Sequence, residues 1–194
     1  MNDVKELLPG AESPSQSIQI FTIGHSNRSF EEFLNLLKES QIQTLVDIRR
    51  FPSSRKFPYF NRDALAPLLE AQGIEYLWFE NLGGFRHSGK NESSPNAGLE
   101  SPGFRNYADH MMTDEFHATV RDLLTIAARR STAIMCAERF FWKCHRRLLS
   151  DFLVAQGAGV IHILESGSLK PHKLTSGAII WKGGQVSYPP PPIE

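Results

Sequence analysis

The chain has 194 residues with 41% hydrophobic and 22% charged residues, which is ordinary for a globular protein. Basic and acidic residues both number 21, so a formal net charge of zero excludes a global electrostatic attraction to nucleic acid or to a membrane surface. Two cysteines exclude a secreted disulfide framework, and no apolar run approaches the roughly 20 residues that span a bilayer. We therefore expect a cytoplasmic protein with reduced thiols and no membrane partner.

The first half of the chain alternates between predicted strands and predicted helices. Residues 1–17 are rich in Ser, Pro, Gln and Glu and predict a flexible leader. Short apolar runs predict strands at residues 18–23, 44–48 and 74–79. Ser29 is a good N-cap for a first helix, and Asn61 can cap a second helix that ends at Gly73.

The second half begins with a polar loop at residues 86–103, whose length indicates either function or disorder. A helical region at 104–130 follows, with a break near Thr113 and Asp114. The remaining predicted elements are a strand at 132–135, a helix at about 144–156, a strand at 160–164, a hairpin at 178–188 that turns at Gly183 and Gly184, and a Pro-rich tail at 189–194.

Strands that alternate with helices predict a single α/β domain over residues 18–188. We expect a three-layer, Rossmann-like sandwich with a mainly parallel sheet of about five strands, plus the C-terminal hairpin. In such folds ligands bind beyond the carboxyl ends of the strands. An assumed strand order of 3-2-1-4-5 would place the first and fourth strands side by side.

The most informative segment runs from residue 132 to 147 and contains both cysteines. Cys144, His145 and Arg146 are predicted in the first turn of a helix, where the helix dipole stabilises a thiolate. Cys144 is therefore a candidate nucleophile, although a buried apolar role is the common fate of a cysteine. Cys136 is either a core thiol or a resolving or redox partner, and Glu138 is either a general acid or base or half of an ion pair.

Polar side chains also follow the other predicted strands, and parallel packing should bring all of these strand ends to one edge of the sheet. His25 follows the first strand and is either a catalytic base, as an alternative to His145, or a loop cap. Asp47 follows the second strand and either belongs to the site or forms a structural pair with Arg49 or Arg55. The residues predicted to bind a substrate anion are Arg146, Arg49, Ser26, Asp47, Gly83 and Gly84.

Metal binding has weaker support from the spacing of the two cysteines. Cys136 and Cys144 are separated by seven residues, which is not a zinc-finger spacing, and the chain has no C-x2-C pair. We therefore assign no metal ligand and no cofactor from the sequence.

The chain resembles the bacterial and archaeal family known as domain of unknown function 488, over roughly residues 20–190. The motifs that carry the resemblance include Thr22-Ile23-Gly24-His25-Ser26, Asp47-Ile48-Arg49, Gly73-Ile74-Glu75-Tyr76, Leu82-Gly83-Gly84, Met135-Cys136-Ala137-Glu138, Cys144-His145-Arg146 and His172-Lys173-Leu174-Thr175. The resemblance implies an α/β fold and a signature that includes Cys136, Glu138, Cys144, His145 and Arg146, and it implies no established activity. Related sequences commonly carry a proline-containing link between the two cysteines, where this chain has residues 139–143 without proline.

These observations favour an enzyme that acts on a small anionic substrate, a phosphate-bearing one being an option. Cys144 would be the nucleophile or redox thiol, Glu138 with His145 or His25 would move protons, and Arg146 and Arg49 would hold the anion. A nucleic-acid-binding or nucleic-acid-processing module is the second hypothesis, based on the arginines and aromatic residues around the site. A metal- or redox-sensing regulator is the third.

Overall fold

A computed structural model describes residues 18–86 and 94–191. The predicted leader, residues 87–93 of the predicted polar loop and residues 192–194 of the predicted Pro-rich tail lie outside the described residues. The helices are α1 (Phe30–Glu39), α2 (Arg62–Glu70), α3 (Pro102–His110), α4 (Asp114–Ala127) and α5 (Arg146–Ala155). The strands are β1 (Gln19–Gly24), β2 (Thr44–Asp47), β3 (Glu75–Trp78), β4 (Thr132–Cys136), β5 (Gly159–Glu165), β6 (Ser168–Pro171), β7 (Ile179–Ile180) and β8 (Val186–Ser187). No helix in this part of the chain is both long enough and apolar enough to cross a bilayer.

Six strands form one sheet in the order β3-β2-β4-β1-β5-β6. The first five are parallel and β6 is antiparallel to β5, while β7 and β8 form a separate hairpin. The predicted mainly parallel sheet and the predicted hairpin are confirmed. The sequence analysis missed β6 because all four of its residues are exposed, so the strand has no buried side to produce an apolar alternation.

The assumed strand order of 3-2-1-4-5 is wrong, because β4 lies between β2 and β1. All five residues of β4 are buried, as expected for a strand at the centre of a sheet with helices on both faces. The first and fourth strands are nevertheless neighbours, as the assumed order also had them, and Gly24 pairs with Cys136 at their carboxyl ends.

Two apolar clusters on opposite faces of the sheet confirm the three-layer sandwich. Along β4, Ile134 and Cys136 join the cluster that contains the buried side chains of α3, α4 and α5. Ala133 and Met135 join the cluster that contains those of α1 and α2. Successive side chains of a strand point to opposite faces, so β4 supplies both cores.

The helix ends follow the predicted boundaries with two corrections, at α2 and α5. Asn61 occupies the N-cap position of α2, but its side chain does not cap the helix and accepts a hydrogen bond from the backbone N–H of Ser54 instead. Ser29 forms a capping box at the start of α1, and Thr113 caps α4. The α5 helix begins at Arg146, so Cys144 and His145 precede the first turn that was predicted to contain them. A single turn of 3-10 helix, Phe141–Lys143, occupies the link, and Cys144 then adopts an extended conformation with φ of −130°.

The carboxyl end of β1 packs directly against the segment that follows β4. Gly24 has no room for a side chain, because a Cβ atom there would collide with the carbonyl oxygen of Glu138 and would lie 2.8 Å from Nη2 of Arg146. The backbone N–H groups of His25 and Ser26 donate to the carbonyl oxygens of Cys136 and Ala137 at 3.0 and 2.8 Å. The positions of the two strand ends are therefore tightly coupled.

A chain of buried polar groups runs between β1, β5 and α5. The Oγ1 atom of Thr22 lies 2.7 Å from Nδ1 of His162, whose Nε2 lies 2.9 Å from Nδ1 of His172. Nε2 of His172 lies 2.7 Å from Asp151, whose other oxygen accepts a hydrogen bond from Tyr188 at 2.7 Å. Burial and the neighbouring His172 lower the pKa of His162 to about 3.

Replacement of Gly24 by alanine should destabilise the protein by about 3 kcal/mol, because the new methyl group meets a backbone carbonyl that cannot move freely. Gly159→Ala is the matched control, since the nearest atom to a Cβ at this exposed strand glycine would be the carbonyl oxygen of Ile18, 3.9 Å away. We expect the control to change the free energy of unfolding by less than about 1 kcal/mol in urea titrations. Equal effects of the two substitutions would contradict the close packing at Gly24.

The free energy of unfolding should fall as the pH is lowered from 7 to 5. Histidines with a native pKa of about 3 or 4, such as His162 and His25, stay neutral in the folded protein while the unfolded chain binds protons near pH 6.5. Each can contribute at most about 2 kcal/mol to this loss, which grows as the pH falls below 6.5.

Urea titrations of the His162→Gln variant at pH 7, 6 and 5 measure how much His162 contributes to the loss of stability on acidification. The variant should show a shallower loss of stability on acidification than the unsubstituted protein, even if it is less stable at pH 7. His117→Gln, on α4, controls for the exchange of an imidazole for an amide. An unchanged pH dependence in His162→Gln would contradict a neutral, buried His162.

Candidate functional site

A cleft of about 490 Å³ lies at the carboxyl-terminal edge of the sheet. It brings together segments that follow β2, β3 and β4 with the start of α3, as the rule for ligand sites in parallel sheets predicts. Six of the predicted site residues line it, namely Arg49, Gly84, Cys136, Glu138, Cys144 and His145. Its other lining residues are Arg50, Phe51, Ser53, Phe85, Ser101, Gly103, Phe104, Ala137 and Lys143.

Both cysteine sulfurs contact one nitrogen of the same imidazole. The Sγ atom of Cys144 lies 3.5 Å and that of Cys136 lies 3.8 Å from Nδ1 of His145. Cys136 is the last residue of β4, while Cys144 and His145 lie just before α5. Both thiols are free, and the three side chains are at least nine-tenths buried at the cleft wall.

The two thiols differ in acidity because they share a hydrogen bond. Burial by itself raises the pKa of the Cys144 thiol, but the hydrogen bond with Cys136, the neighbouring His145 and the charge of Arg146 outweigh burial and hold this pKa well below its usual range. The hydrogen bond with Cys144 and burial raise the pKa of Cys136 well above its usual range. Cys144 is therefore the more acidic of the two thiols.

His145 is positioned by a glycine and a tyrosine that pack on its ring. A Cβ atom at Gly84 would collide with Nδ1 of His145, so glycine at this position leaves the space beside that nitrogen open. Tyr107 packs edge-on against the imidazole with ring centroids 4.9 Å apart, and its hydroxyl donates to the carbonyl of Leu82 at 3.0 Å. Nε2 of His145 is buried without a hydrogen-bond partner among the described residues.

Asp47 and Arg49 form a buried ion pair beside the cleft. Nε of Arg49 donates to both oxygens of Asp47 at 2.9 and 3.0 Å, and the hydroxyl of Tyr76 donates to the same carboxylate at 2.6 Å. Asp47 is fully buried and is absent from the cleft lining. The structural pair with Arg49 that the sequence allowed is therefore present, and it carries Arg49 to the cleft wall.

His25 lies behind this pair rather than in the cleft. Its Nδ1 donates to the carbonyl of Ser26 at 3.0 Å, and its Nε2 lies 3.3 Å from Nη1 of Arg49, so both ring nitrogens have partners. Burial and the charge of Arg49 lower the pKa of His25 to about 4. Its ring also stacks on Phe60 at 4.2 Å. The lowered pKa favours neutral His25, and the residue does not line the cleft.

Arg146 is buried beneath the cleft and is only 1% exposed. Nη2 donates to the carbonyl oxygens of Glu138 and Arg139, and Nη1 lies 3.5 Å from Oγ1 of Thr22. Among the described residues Arg146 forms no ion pair with a carboxylate. Its charge lowers the pKa of both cysteines through space, and its side chain does not line the cleft.

The other predicted site residues differ in exposure and position. Glu138 is exposed on the cleft wall. Ser26 adopts a left-handed conformation with φ of 49° in the turn after β1 and does not line the cleft. Gly83 lies close to Arg50, because a Cβ atom there would approach the Arg50 backbone to 2.8 Å.

Several lining residues were not singled out as site residues from the sequence. Phe51 and Phe85 are 66% and 58% exposed at the cleft, with ring centroids 6.1 Å apart. Phe104 lines the opposite side from the start of α3. Isolated phenylalanines carry no motif, although Phe51 lies in the arginine-rich loop after β2 that the sequence did indicate.

The Cys136, Cys144 and His145 side chains also form a possible metal-ligand group. One ligand atom of each lies within 4.8 Å of the other two. The spacing of the cysteines gave no sign of this group, because the third ligand and the distance between the sulfurs depend on the packing of β4 against the segment before α5.

At pH 7 we expect iodoacetamide to modify Cys144 about tenfold faster than Cys136, because the thiolate is the reacting species. Peptide mass spectrometry of a time course measures both rates. Gly84→Ala should reduce the preference for Cys144, since the methyl group displaces the His145 ring. Gly103→Ala is the matched control in the same cleft, because the nearest atom to a Cβ there would be Oγ of Ser101, 3.9 Å away.

Equal rates for the two cysteines, or equal effects of the two glycine substitutions, would contradict the arrangement of His145 and Cys144. Modification of either cysteine only after unfolding would show that the cleft does not admit a reagent of this size.

Residues 29–153 match the family described as Domain of unknown function DUF488, so the chain belongs to this family, as its motifs predicted. The matched segment includes Cys136, Cys144 and His145 and begins after His25. No curated protein and no solved structure matches the chain.

Proposed function

We propose that this member of the DUF488 family is a thiol-dependent enzyme that acts on a small anionic substrate bound in the Cys–His cleft. The observation that supports it most is the contact of 3.5 Å between the Cys144 sulfur and a buried imidazole nitrogen on the wall of an open cleft. A thiol, a hydrogen-bonding base and a space for a ligand are the three parts that cysteine nucleophiles require.

Cys144 is the attacking atom in this proposal, and Cys136 holds the remaining proton of the pair. The buried guanidinium of Arg146 has no carboxylate partner among the described residues, and a thiolate nearby offsets the cost of burying that charge. The same positive charge favours the ionised form of Cys144 over the thiol. Arg146 is thus a positioning residue rather than a ligand for the substrate.

The anionic character of the substrate follows from the cations that line the cleft. Arg49 and Arg50 are balanced by Asp47 and Glu80, with 2.8 Å between Arg50 and Glu80. Lys143 also lines the cleft, and it takes part in none of the ion pairs between described residues. Lys143 is therefore the cation best able to bind a negative group beside Cys144.

The remaining lining residues suit a substrate with an apolar portion and a leaving group that needs a proton. Phe51, Phe85 and Phe104 offer aromatic surface around the opening. Attack of the Cys144 sulfur on an electrophilic atom forms one bond to sulfur and releases a leaving group with its electron pair. Glu138, on the cleft wall, is placed to protonate that group when its carboxyl group carries a proton.

Two alkylating reagents that differ in charge test the proposal without knowledge of the substrate. Iodoacetate is anionic and iodoacetamide is neutral, and both transfer a two-carbon group to a thiolate with loss of iodide. We expect the ratio of iodoacetate to iodoacetamide rates at Cys144 to exceed that of N-acetylcysteine by about fivefold or more. One unit charge at 4 Å in water supplies about 1 kcal/mol, which corresponds to such a factor.

Lys143→Gln should lower this ratio by about fivefold, whereas Lys182→Gln, at an exposed turn between β7 and β8, should leave it unchanged. Cys144→Ser should abolish the rapid phase of modification. A rate ratio equal to that of the free amino acid, or one that is insensitive to Lys143→Gln, would refute an anion-binding thiol site.

A further inference from the structure

We propose that a thiophilic divalent metal ion, Zn²⁺ in particular, binds to Cys136, Cys144 and His145 and reversibly blocks the reactive sulfur. The inference concerns the regulation of the proposed thiol site and in that sense rests on the proposed function. The metal site itself is argued below from atomic positions and ligand chemistry alone.

The two S···N distances are close to those in a zinc coordination tetrahedron. Zn–S bonds of about 2.3 Å and Zn–N bonds of about 2.0–2.1 Å imply S···N edges of about 3.5–3.6 Å and S···S edges of about 3.8 Å. The observed S···N distances are 3.5 Å for Cys144 and 3.8 Å for Cys136. The sulfur atoms and the nitrogen lie within 4.8 Å of one another, so small side-chain rotations complete the geometry.

The chemistry of the three donors selects the kind of metal. Thiolate and imidazole ligands favour Zn²⁺ and related soft or borderline ions, whereas Mg²⁺ and Ca²⁺ require oxygen ligands. Two cysteine thiolates also cancel the double positive charge of the ion, so the loaded group is neutral overall. This neutrality matters because all three side chains are at least nine-tenths buried.

The surrounding packing leaves space for an ion at the correct nitrogen. Both sulfurs approach Nδ1 rather than Nε2, and Gly84 has no side chain to occupy the volume beside Nδ1. Tyr107 packs on the ring and fixes its orientation. All three ligands line the cleft, so the fourth coordination position can be reached by water or by an anion in the cleft.

Metal binding and thiol catalysis are mutually exclusive at this site. The electron pair with which Cys144 would attack a substrate is the pair that it donates to the metal ion. Because thiolates are the metal ligands, binding displaces the thiol protons that the two cysteines carry, and removal of the ion allows the protons to return. The protein would thus be active in its metal-free form and inactive when Zn²⁺ is available.

Metal content and cobalt spectra test the site directly. The protein is first assayed for metal as purified, then stripped with a chelator under reducing conditions and titrated with Zn²⁺ or Co²⁺. We expect one equivalent per chain, with the intense near-ultraviolet absorption of sulfur-to-cobalt charge transfer and the visible bands of four-coordinate Co²⁺. Cys136→Ser, Cys144→Ser and His145→Gln should each weaken Zn²⁺ binding by about 100-fold or more.

His117→Gln is the matched control, because this histidine lies on α4 away from the cleft. It should bind Zn²⁺ and Co²⁺ as the unsubstituted protein does. Absence of stoichiometric binding, or binding that survives both cysteine substitutions, would overturn the metal site. Circular dichroism of each variant checks that weaker binding does not arise from unfolding.

Alkylation separates failure of the metal site from failure of the proposed enzyme. One equivalent of Zn²⁺ should slow modification of Cys144 by more than about tenfold, and a chelator should restore the rate. Fast, anion-directed alkylation of a protein that binds no Zn²⁺ would refute the metal inference and leave the enzyme proposal standing. Tight Zn²⁺ binding by a protein whose cysteines show no preference for iodoacetate would refute the enzyme proposal and leave the metal inference standing.

Discussion

The buried guanidinium of Arg146 holds together the three segments that build the site. It binds the carbonyl oxygens of residues 138 and 139 after β4, reaches Thr22 of β1, and belongs to the first turn of α5. Gly24 is required because the guanidinium and the Glu138 carbonyl fill the volume that a side chain would occupy. Loss of this contact would free the start of α5 from the ends of β1 and β4, and with it the positions of Cys144 and His145, whereas Cys136 would stay paired with Gly24 in the sheet.

The same interaction explains how the two cysteines come to share one imidazole. Cys136 is fixed by the sheet, whereas Cys144 and His145 are fixed by the start of α5, which Arg146 anchors to β1. Because the anchor is charged, it also favours negative charge on the sulfur pair. The same guanidinium therefore both positions the site and contributes to its electrostatics.

The cleft has two parts with different physical character. Its floor consists of buried soft donors, Cys136, Cys144 and His145, while its rim carries cations and exposed phenylalanines. A thiolate nucleophile and a bound Zn²⁺ ion would use the same floor atoms in different states. The rim would serve an anionic ligand in either case, since Lys143 lines the same cleft as Cys144.

The sequence by itself determined the class of fold, most of its elements and the family. Local signals such as the capping box at Ser29, the break at Thr113 and the turn at Gly183 act within a few residues, so they could be recognised without the fold. Tertiary structure decided the strand order and the exposed edge strand β6. It also decided that His25 and Arg146 lie outside the cleft lining and that both sulfurs contact Nδ1 of His145. Those features depend on contacts between residues that are distant in the chain, and a pattern of neighbouring residues does not encode the distances between such atoms.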